Sequence, residues 1–79
     1  MALTLLKVYK AYRIHAGADE HRASKTWMPR AVISWGEPYE YHTVYGSDRY
    51  ETQDEAILNA LDVATKWIDV REFTAKKSA

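Results

Sequence analysis

The stretch TQDEAILNALDVATKWIDVRE, residues 52–72, carries the clearest periodic pattern in this 79-residue chain. Thr52 followed by Glu55 has the spacing of a capping box, in which the Thr hydroxyl accepts from the backbone at the third helical position. Small and apolar residues then recur at helical spacing: Ala56, Ile57, Ala60, Leu61, Val63, Ala64, Trp67 and Ile68. The stretch predicts a helix that begins after Thr52, ends near Arg71 and lays a broad apolar stripe on another layer.

Three upstream segments alternate apolar and polar residues with the period of two that is typical of half-buried strands: 6–16, 27–35 and 39–45. The polar segment 17–26 between the first two is predicted to be a loop. Residues 2–8 could be strand or disordered. The order β-β-β-α predicts an α+β fold, in which one C-terminal helix packs on one face of a three-stranded antiparallel sheet. We expect a single domain over 1–79, ordered over about 5–71, with a frayed tail at 72–79.

The same alternation assigns side chains to the two faces of the sheet. We expect large rings to fill the space under the helix: Tyr12, Trp27, Trp35, the alternating tyrosines 39, 41 and 45, and Trp67 of the helix itself. The opposite, outer face would carry mainly polar side chains: Arg13, His15, Arg30, Ser34, Glu40 and His42. The pattern leaves open which of the two faces the helix covers.

The charge and the cysteine content limit the classes of protein to which the chain can belong. Eleven basic and eleven acidic residues cancel, although residues 7–30 carry six basic against two acidic side chains, a net +4. The chain has no Cys, so neither a disulfide nor a Cys-ligated zinc can brace it. Lys7 interrupts the N-terminal apolar run, and no run approaches the roughly 18 apolar residues of a membrane span. These features predict a cytoplasmic protein without a membrane partner.

The sequence contains no recognisable catalytic motif. His15, His21 and His42 lack metal-ligand spacing. No base-bearing motif surrounds Ser24 or Ser47, as nucleophilic catalysis would require. We therefore expect no catalytic residue, no metal and no cofactor, and predict that the protein is not an enzyme.

Binding is the remaining class of function, and two hypotheses stay open. The first is a non-catalytic interaction module, most simply a homodimer, that self-associates through an exposed sheet face or an edge strand. The candidate residues on that face are Arg13, His15, Arg30, Ser34 and His42. The alternative is nucleic-acid binding through this basic face and the 17–26 loop. Stacking rings in a basic groove are usual for single-strand binders, whereas the predicted facing puts the rings on the other side.

The segment YETQDEAILNALDVATKWID, residues 50–69, and the order of the elements resemble small bacterial β-β-β-α domains of unknown function. In those domains the helix opens on a capping Thr and carries a small-residue stripe that ends in Trp-Ile-Asp. The resemblance spans roughly residues 9–70 and implies no catalytic or binding residue. The order is also similar to the second half of a double-stranded-RNA-binding domain. That family opens its last helix with basic residues, where this chain has Gln53, Asp54 and Glu55.

Overall fold

The computed structural model describes residues 4–36 and 38–78. It contains one antiparallel sheet in the order β1-β2-β3-β4, with one helix packed on one face. The elements are β1 Leu5–Tyr9, β2 Tyr12–His21, β3 Thr26–Trp35, β4 Glu40–Tyr45 and α1 Gln53–Ser78. The α+β class and the single C-terminal helix are confirmed. The prediction of three strands was wrong, because the sheet has four.

The additional strand arises from a two-residue turn at Lys10 and Ala11. Both have positive φ, 49° and 67°, which is the backbone of a type I′ hairpin turn. Tyr9 therefore pairs with Tyr12, and the chain doubles back where the alternation indicated one continuous strand. Residues 5–9 are strand, which answers the question over 2–8 for that part; residues 2 and 3 lie outside the described residues.

The predicted loop at 17–26 was also wrong. The β2–β3 pairing continues as far as His21 with Thr26, which leaves a turn at 22–25. Pairing also continues past Pro29, which lies opposite Ala18. The Pro29 carbonyl accepts from the Gly46 backbone at 3.1 Å. Since the N and O of a strand residue point to the same side, the missing N–H of Pro29 removes no hydrogen bond to β2.

The register of β4 reverses the predicted facing of that strand. His42 pairs with Ile33 and Val44 pairs with Ala31, so both lie on the helix side. Tyr41, Thr43 and Tyr45 consequently point to the outer face, the opposite of what was predicted. A shift of one residue moves every side chain of a strand to the other face, and the alternation within β4 could not fix its phase across the turn that precedes it.

The core lies between the helix and the two central strands. From the sheet it takes Tyr12, Ile14, Ala16, Ala31 and Ile33, and from the helix Ile57, Ala60, Ala64 and Ile68. The alanines let the helix approach the sheet closely. Trp67 packs against this core from its edge, as predicted, and is only partly buried.

The helix starts as predicted and ends later. The Thr52 hydroxyl accepts from the Glu55 backbone at 3.3 Å and donates to the Glu55 carboxylate at 3.0 Å. An Asp62–Lys66 ion pair of 3.0 Å follows on the exposed side. The helix continues to Ser78, so the expected end near Arg71 was wrong, whereas the expected fraying of the tail stays a prediction. No Gly or Pro interrupts residues 72–78, and this stretch can therefore extend the helix. Residue 79 lies outside the described residues.

Candidate interaction surface

The outer face is the side of the sheet that α1 does not cover. Cross-strand partners share a face, so the buried positions of Ile14 and Ile33 fix which residues point away from the helix. We define the outer face by these residues: Leu6, Val8, Arg13, His15, Asp19, Met28, Arg30, Val32, Ser34, Tyr41, Thr43 and Tyr45. It contains two tyrosines, two arginines and one methionine, which are residue types enriched at protein interfaces, and neither Lys nor Glu.

Four large apolar side chains on the outer face are exposed to solvent. Val8 is 66% exposed and Leu6 60%, both on β1. Tyr41 is 69% exposed and Tyr45 61%, both on β4. These four side chains lie on the two edge strands, and the central strands β2 and β3 lie between the two pairs.

Arg13 is the best-fixed cation on the outer face. Its Nε donates to the Ser34 hydroxyl at 3.3 Å, and its guanidinium lies 5.3 Å from the centroid of the Tyr39 ring. Ser34 is 1% exposed, so this hydrogen bond satisfies a buried hydroxyl. Within residues 4–36 and 38–78 Arg13 has no carboxylate partner.

Arg30 differs from Arg13 because it has an internal partner. Its Nη2 lies 3.3 Å from an Asp19 carboxylate oxygen, and both side chains are about half exposed. A surface ion pair of this kind contributes little to stability. The outer face thus carries two arginines and one carboxylate, a net +1 before His15 is counted.

The structure brings together four of the five candidate residues. Arg13, His15, Arg30 and Ser34 all belong to the outer face. His42 does not, because it faces the helix and stacks on Trp67 with ring centroids 4.8 Å apart.

The sequence interpretation missed Leu6, Val8, Tyr41 and Tyr45. A signal for the tyrosines does exist in β4. Val44 is the one aliphatic residue of Glu40–Tyr45, and an aliphatic side chain fits a core better than a phenol whose hydroxyl needs a partner. Choosing the face of β4 by Val44 would have turned the tyrosines outward. For Leu6 and Val8 the chain offers no comparable signal, since the Lys10–Ala11 turn lacks the usual Gly or Asn.

A second cluster lies on the helix side, around the guanidinium of Arg71. That guanidinium is 4.5 Å from the Trp35 ring and 5.6 Å from the Trp67 ring, and its Nε donates to the Tyr12 hydroxyl at 3.2 Å. Burial raises the pKa of the Tyr12 phenol, and a hydrogen bond with Glu72 raises it further. The Arg71 guanidinium already contacts both indole rings of this cluster. The cluster therefore joins the helix to the sheet.

The turn at 22–25 contains a chain of side-chain hydrogen bonds. His21 Nδ1 lies 2.8 Å from the Ser24 hydroxyl, which lies 2.6 Å from the Thr26 hydroxyl. Both hydrogen bonds are exposed to solvent. A nucleophilic Ser needs an orienting group for its base and donors for an oxyanion. The hydrogen bonds from His21 to Ser24 and from Ser24 to Thr26 connect the two ends of the turn. Within the turn, Lys25 has a positive φ of 54°.

Two further observations concern a surface depression and the grouping of metal-ligating side chains. An open depression of about 390 Å³ lies between β1 and the start of α1, lined by Thr4, Leu5, Asp54, Ile57 and Leu58. Asp54 is the one titratable group among those lining residues, and it belongs to the first turn of the helix. In the described part of the chain, no three His, Cys, Asp or Glu side chains come together as a metal site.

Comparison of the chain with protein-family models, with curated proteins and with solved structures gave no match. The resemblance to small bacterial domains therefore gains no support from relatives and loses none. Over the described residues, no helix has both the length and the apolar character that crossing a bilayer requires.

Proposed function

We propose that the chain is a small non-catalytic interaction module that self-associates through its outer face. The observation that carries the proposal is the exposure of Leu6, Val8, Tyr41 and Tyr45, each at least 60%, on one open sheet face. Two sheets pack naturally face to face about 10 Å apart, with side chains of the facing sides interdigitating. A second copy supplies a sheet of the right shape, and the two-fold dimer is the commonest oligomer.

The area of the outer face is sufficient for a reversible dimer. Four strands about 4.8 Å apart, paired over five to six residues of about 3.3 Å each, give a flat area of about 350 Å². The part of β2 and β3 that extends beyond β1 and β4 adds about 130 Å² by the same spacings. Two copies would bury about 1,000 Å², which is the lower limit for a specific interface.

Charge permits the same pairing. The chain has no net charge at neutral pH, so two copies do not repel each other at long range. Face-to-face packing is favoured over edge-to-edge pairing because β1 and β4, the two edge strands, are only five and six residues long.

The cysteine-free sequence suits the reducing cytoplasm, where we place the protein.

Two valines of equal exposure provide a matched test. Val8 on the outer face and Val70 on the helix are each 66% exposed. Sedimentation equilibrium should show a concentration-dependent shift from 9.1 kDa towards twice that mass for the wild type and for Val70→Lys. Val8→Lys should stay at 9.1 kDa, because it would bury a lysine charge against the second copy. A monomeric wild type at high concentration would refute the proposal. Equal dimerisation by Val8→Lys and wild type would exclude the outer face.

A second candidate function is binding of single-stranded nucleic acid by the outer face. The observation that favours it is that Tyr41 and Tyr45 share this face with Arg13 and Arg30. Exposed rings beside arginines provide stacking and phosphate contacts together. The hairpin turn that replaces the predicted 17–26 loop adds Arg22 and Lys25. The neutral total charge and the Asp19–Arg30 ion pair reduce the attraction for phosphates.

Fluorescence anisotropy with labelled single- and double-stranded RNA and DNA at low salt tests this candidate. Binding should weaken steeply as salt is added, because each phosphate contact releases counterions. Arg13→Gln should reduce both the affinity and the salt slope, whereas Lys66→Gln on the helix should change neither. Absence of binding at the lowest salt would remove the candidate and leave self-association untouched.

A further inference from the structure

His15 occupies the middle of the outer face. It belongs to β2, a central strand, and its pairing partners are Leu6 on β1 and Val32 on β3. The cross-strand row on one side of it contains Arg13, and the row on the other side contains Arg30. A second copy that covers the outer face therefore removes His15 from water, an inference that rests on the self-association proposed above.

The charged side chains nearest to His15 are both basic. Arg13 lies two residues away along β2, about 6.6 Å between Cα atoms. Arg30 lies diagonally opposite on β3, roughly 7 to 8 Å away. Asp19 is four residues from His15 along β2 and forms an ion pair with Arg30. The outer face has few titratable side chains besides His15: Arg13, Asp19, Arg30, Tyr41 and Tyr45.

Protonation of His15 changes the charge of the whole face. Histidine is the side chain that ordinarily changes charge between pH 5 and 8. The outer face carries a net +1 with His15 neutral and +2 with His15 protonated. In a homodimer the same face meets itself, so the positive charge increases on both sides of the interface at once. This increase is the same whichever way the second copy is rotated on the face.

Burial of His15 acts in the same direction as charge repulsion. Across the strands the imidazole has the aliphatic side chains of Leu6 and Val32 as neighbours, and neither can accept a hydrogen bond. Removal from water disfavours the charged form of a histidine that has no opposite charge beside it. In the monomer His15 is exposed, so its protonation there carries no such cost.

We infer that mild acid dissociates the dimer through protonation of His15. Because the interface disfavours the charged imidazole, the dimer binds fewer protons than two monomers do. A fall in pH therefore shifts the equilibrium towards monomers, by the same linkage that connects proton binding to folding. The self-association becomes a pH-regulated property of the outer face.

Sedimentation equilibrium at pH 8 and pH 5.5 tests the inference. The dissociation constant of the wild-type dimer should be about tenfold higher or more at pH 5.5, because like charges that face each other across an interface are strongly unfavourable. His15→Gln should dimerise equally at both pH values. The double variant His21→Gln/His42→Gln retains His15 as the one histidine of the chain and should keep the wild-type pH dependence. Circular dichroism at each pH verifies that every variant is folded.

His15→Lys adds a second test, because lysine carries its charge at both pH values. It should dimerise at pH 8 as weakly as the wild type does at pH 5.5. An equal dissociation constant for the wild type at both pH values would overturn the inference and leave self-association intact. Loss of the pH dependence in the double variant, or its persistence in His15→Gln, would overturn it as well. A wild type that is monomeric at pH 8 refutes self-association itself.

Discussion

The imidazole of His42 lies flat against the indole of Trp67, with ring centroids 4.8 Å apart and planes inclined by 11°. Trp67 also contacts Trp35, at 5.7 Å between centroids, and the guanidinium of Arg71. One indole thus joins the helix to two strands of the sheet, β3 through Trp35 and β4 through His42. The rings near the C-terminal half of the helix join the helix to the sheet, and the outer face lies on the opposite side of the sheet.

Trp67→Ala should lower the free energy of unfolding by about 3 kcal/mol, the low end of the range for a large buried ring, because Trp67 is only partly buried. The whole domain has about 4 to 12 kcal/mol to lose. Urea unfolding followed by circular dichroism measures the change. Val70→Ala, on the exposed side of the same helix, should stay within about 0.5 kcal/mol of the wild type. An unchanged urea midpoint for Trp67→Ala would mean that the indole does not join helix and sheet.

Substitution of Ala11 tests the turn that creates the fourth strand. Ala11 has a φ of 67°, a conformation that costs a non-glycine residue about 1 to 2 kcal/mol. Ala11→Gly should relieve this strain and stabilise the protein by about 0.5 to 1 kcal/mol, after the entropy cost of glycine. Ala11→Val should destabilise it by about 1 to 2 kcal/mol, since a β-branched residue tolerates positive φ poorly. Thermal and urea unfolding give both values.

The two Ala11 substitutions also have a built-in control. In a continuous strand the order would reverse, because valine favours strand and glycine weakens it. A more stable Ala11→Val protein would therefore contradict the hairpin between β1 and β2.

Gly46 lies where β4, β3 and the helix meet. A Cβ added there would lie 2.8 Å from Pro29 Cγ and 2.7 Å from Asn59 Oδ1. The proline ring cannot move aside easily, so Gly46→Ala should destabilise the fold by about 1 to 3 kcal/mol through overpacking. Differential scanning calorimetry should show the loss, and Ser47→Ala, at an exposed neighbouring position, should show none. Wild-type stability in Gly46→Ala would indicate that the helix sits farther from β3.

The Asp69 carboxylate gives folding a dependence on acid. The Lys10 ammonium at 2.8 Å lowers the pKa of Asp69 below its usual 3.8, and the Tyr9 hydroxyl, also at 2.8 Å, lowers it further. A carboxyl group whose pKa is lower in the folded state stabilises the fold above its unfolded pKa. That stabilisation is lost as the pH falls through the folded pKa. The same contact raises the pKa of Lys10 above its usual 10.5, so the Lys10 contribution is complete below pH 10.5 and is lost as the pH rises through the raised pKa.

Asp69→Asn should therefore melt at a lower temperature than the wild type by a constant margin between about pH 5 and pH 9. The margin should shrink below the usual Asp pKa of 3.8, where the wild-type carboxylate also becomes neutral. Tyr9→Phe removes one of the two partners of Asp69 and should give a smaller margin with the same acid limb. Melting curves from pH 2 to 9, monitored by circular dichroism, measure both, and a margin that persists undiminished in acid would contradict this assignment.

The helix could be predicted because its signals are local. Thr52 and Glu55 are three residues apart, and the apolar stripe repeats within single turns, so neither depends on the rest of the chain. The end of the helix was less predictable, since nothing between 72 and 78 actively stops it. The layer order was also predictable, because a single apolar stripe must pack on the sheet that precedes it.

The phase of the strands could not be predicted in the same way. Lys10 and Ala11 form a turn that glycine or asparagine would normally signal, and the alternation on either side resembles one long strand. An error at such a turn affects every side chain beyond it. The alternation over 6–16 puts Leu6 and Val8 on the side of Tyr12, whereas the hairpin puts them on the outer face. In β4, the choice between Val44 and the tyrosines as the core side determined whether the tyrosines were assigned to the outer face.

The order of the strands affects the folding pathway as well as the final fold. Each strand pairs with its neighbour in sequence, so every hairpin closes over a short connection at little entropic cost. Such local pairing favours rapid folding. The helix, however, is the last element, and the side chains of Ile14 and Ile33 have nothing to pack against until residues 53–78 dock. During synthesis the nascent sheet is therefore open on both faces, and this is the interval in which the protein depends most on fast helix formation to escape aggregation.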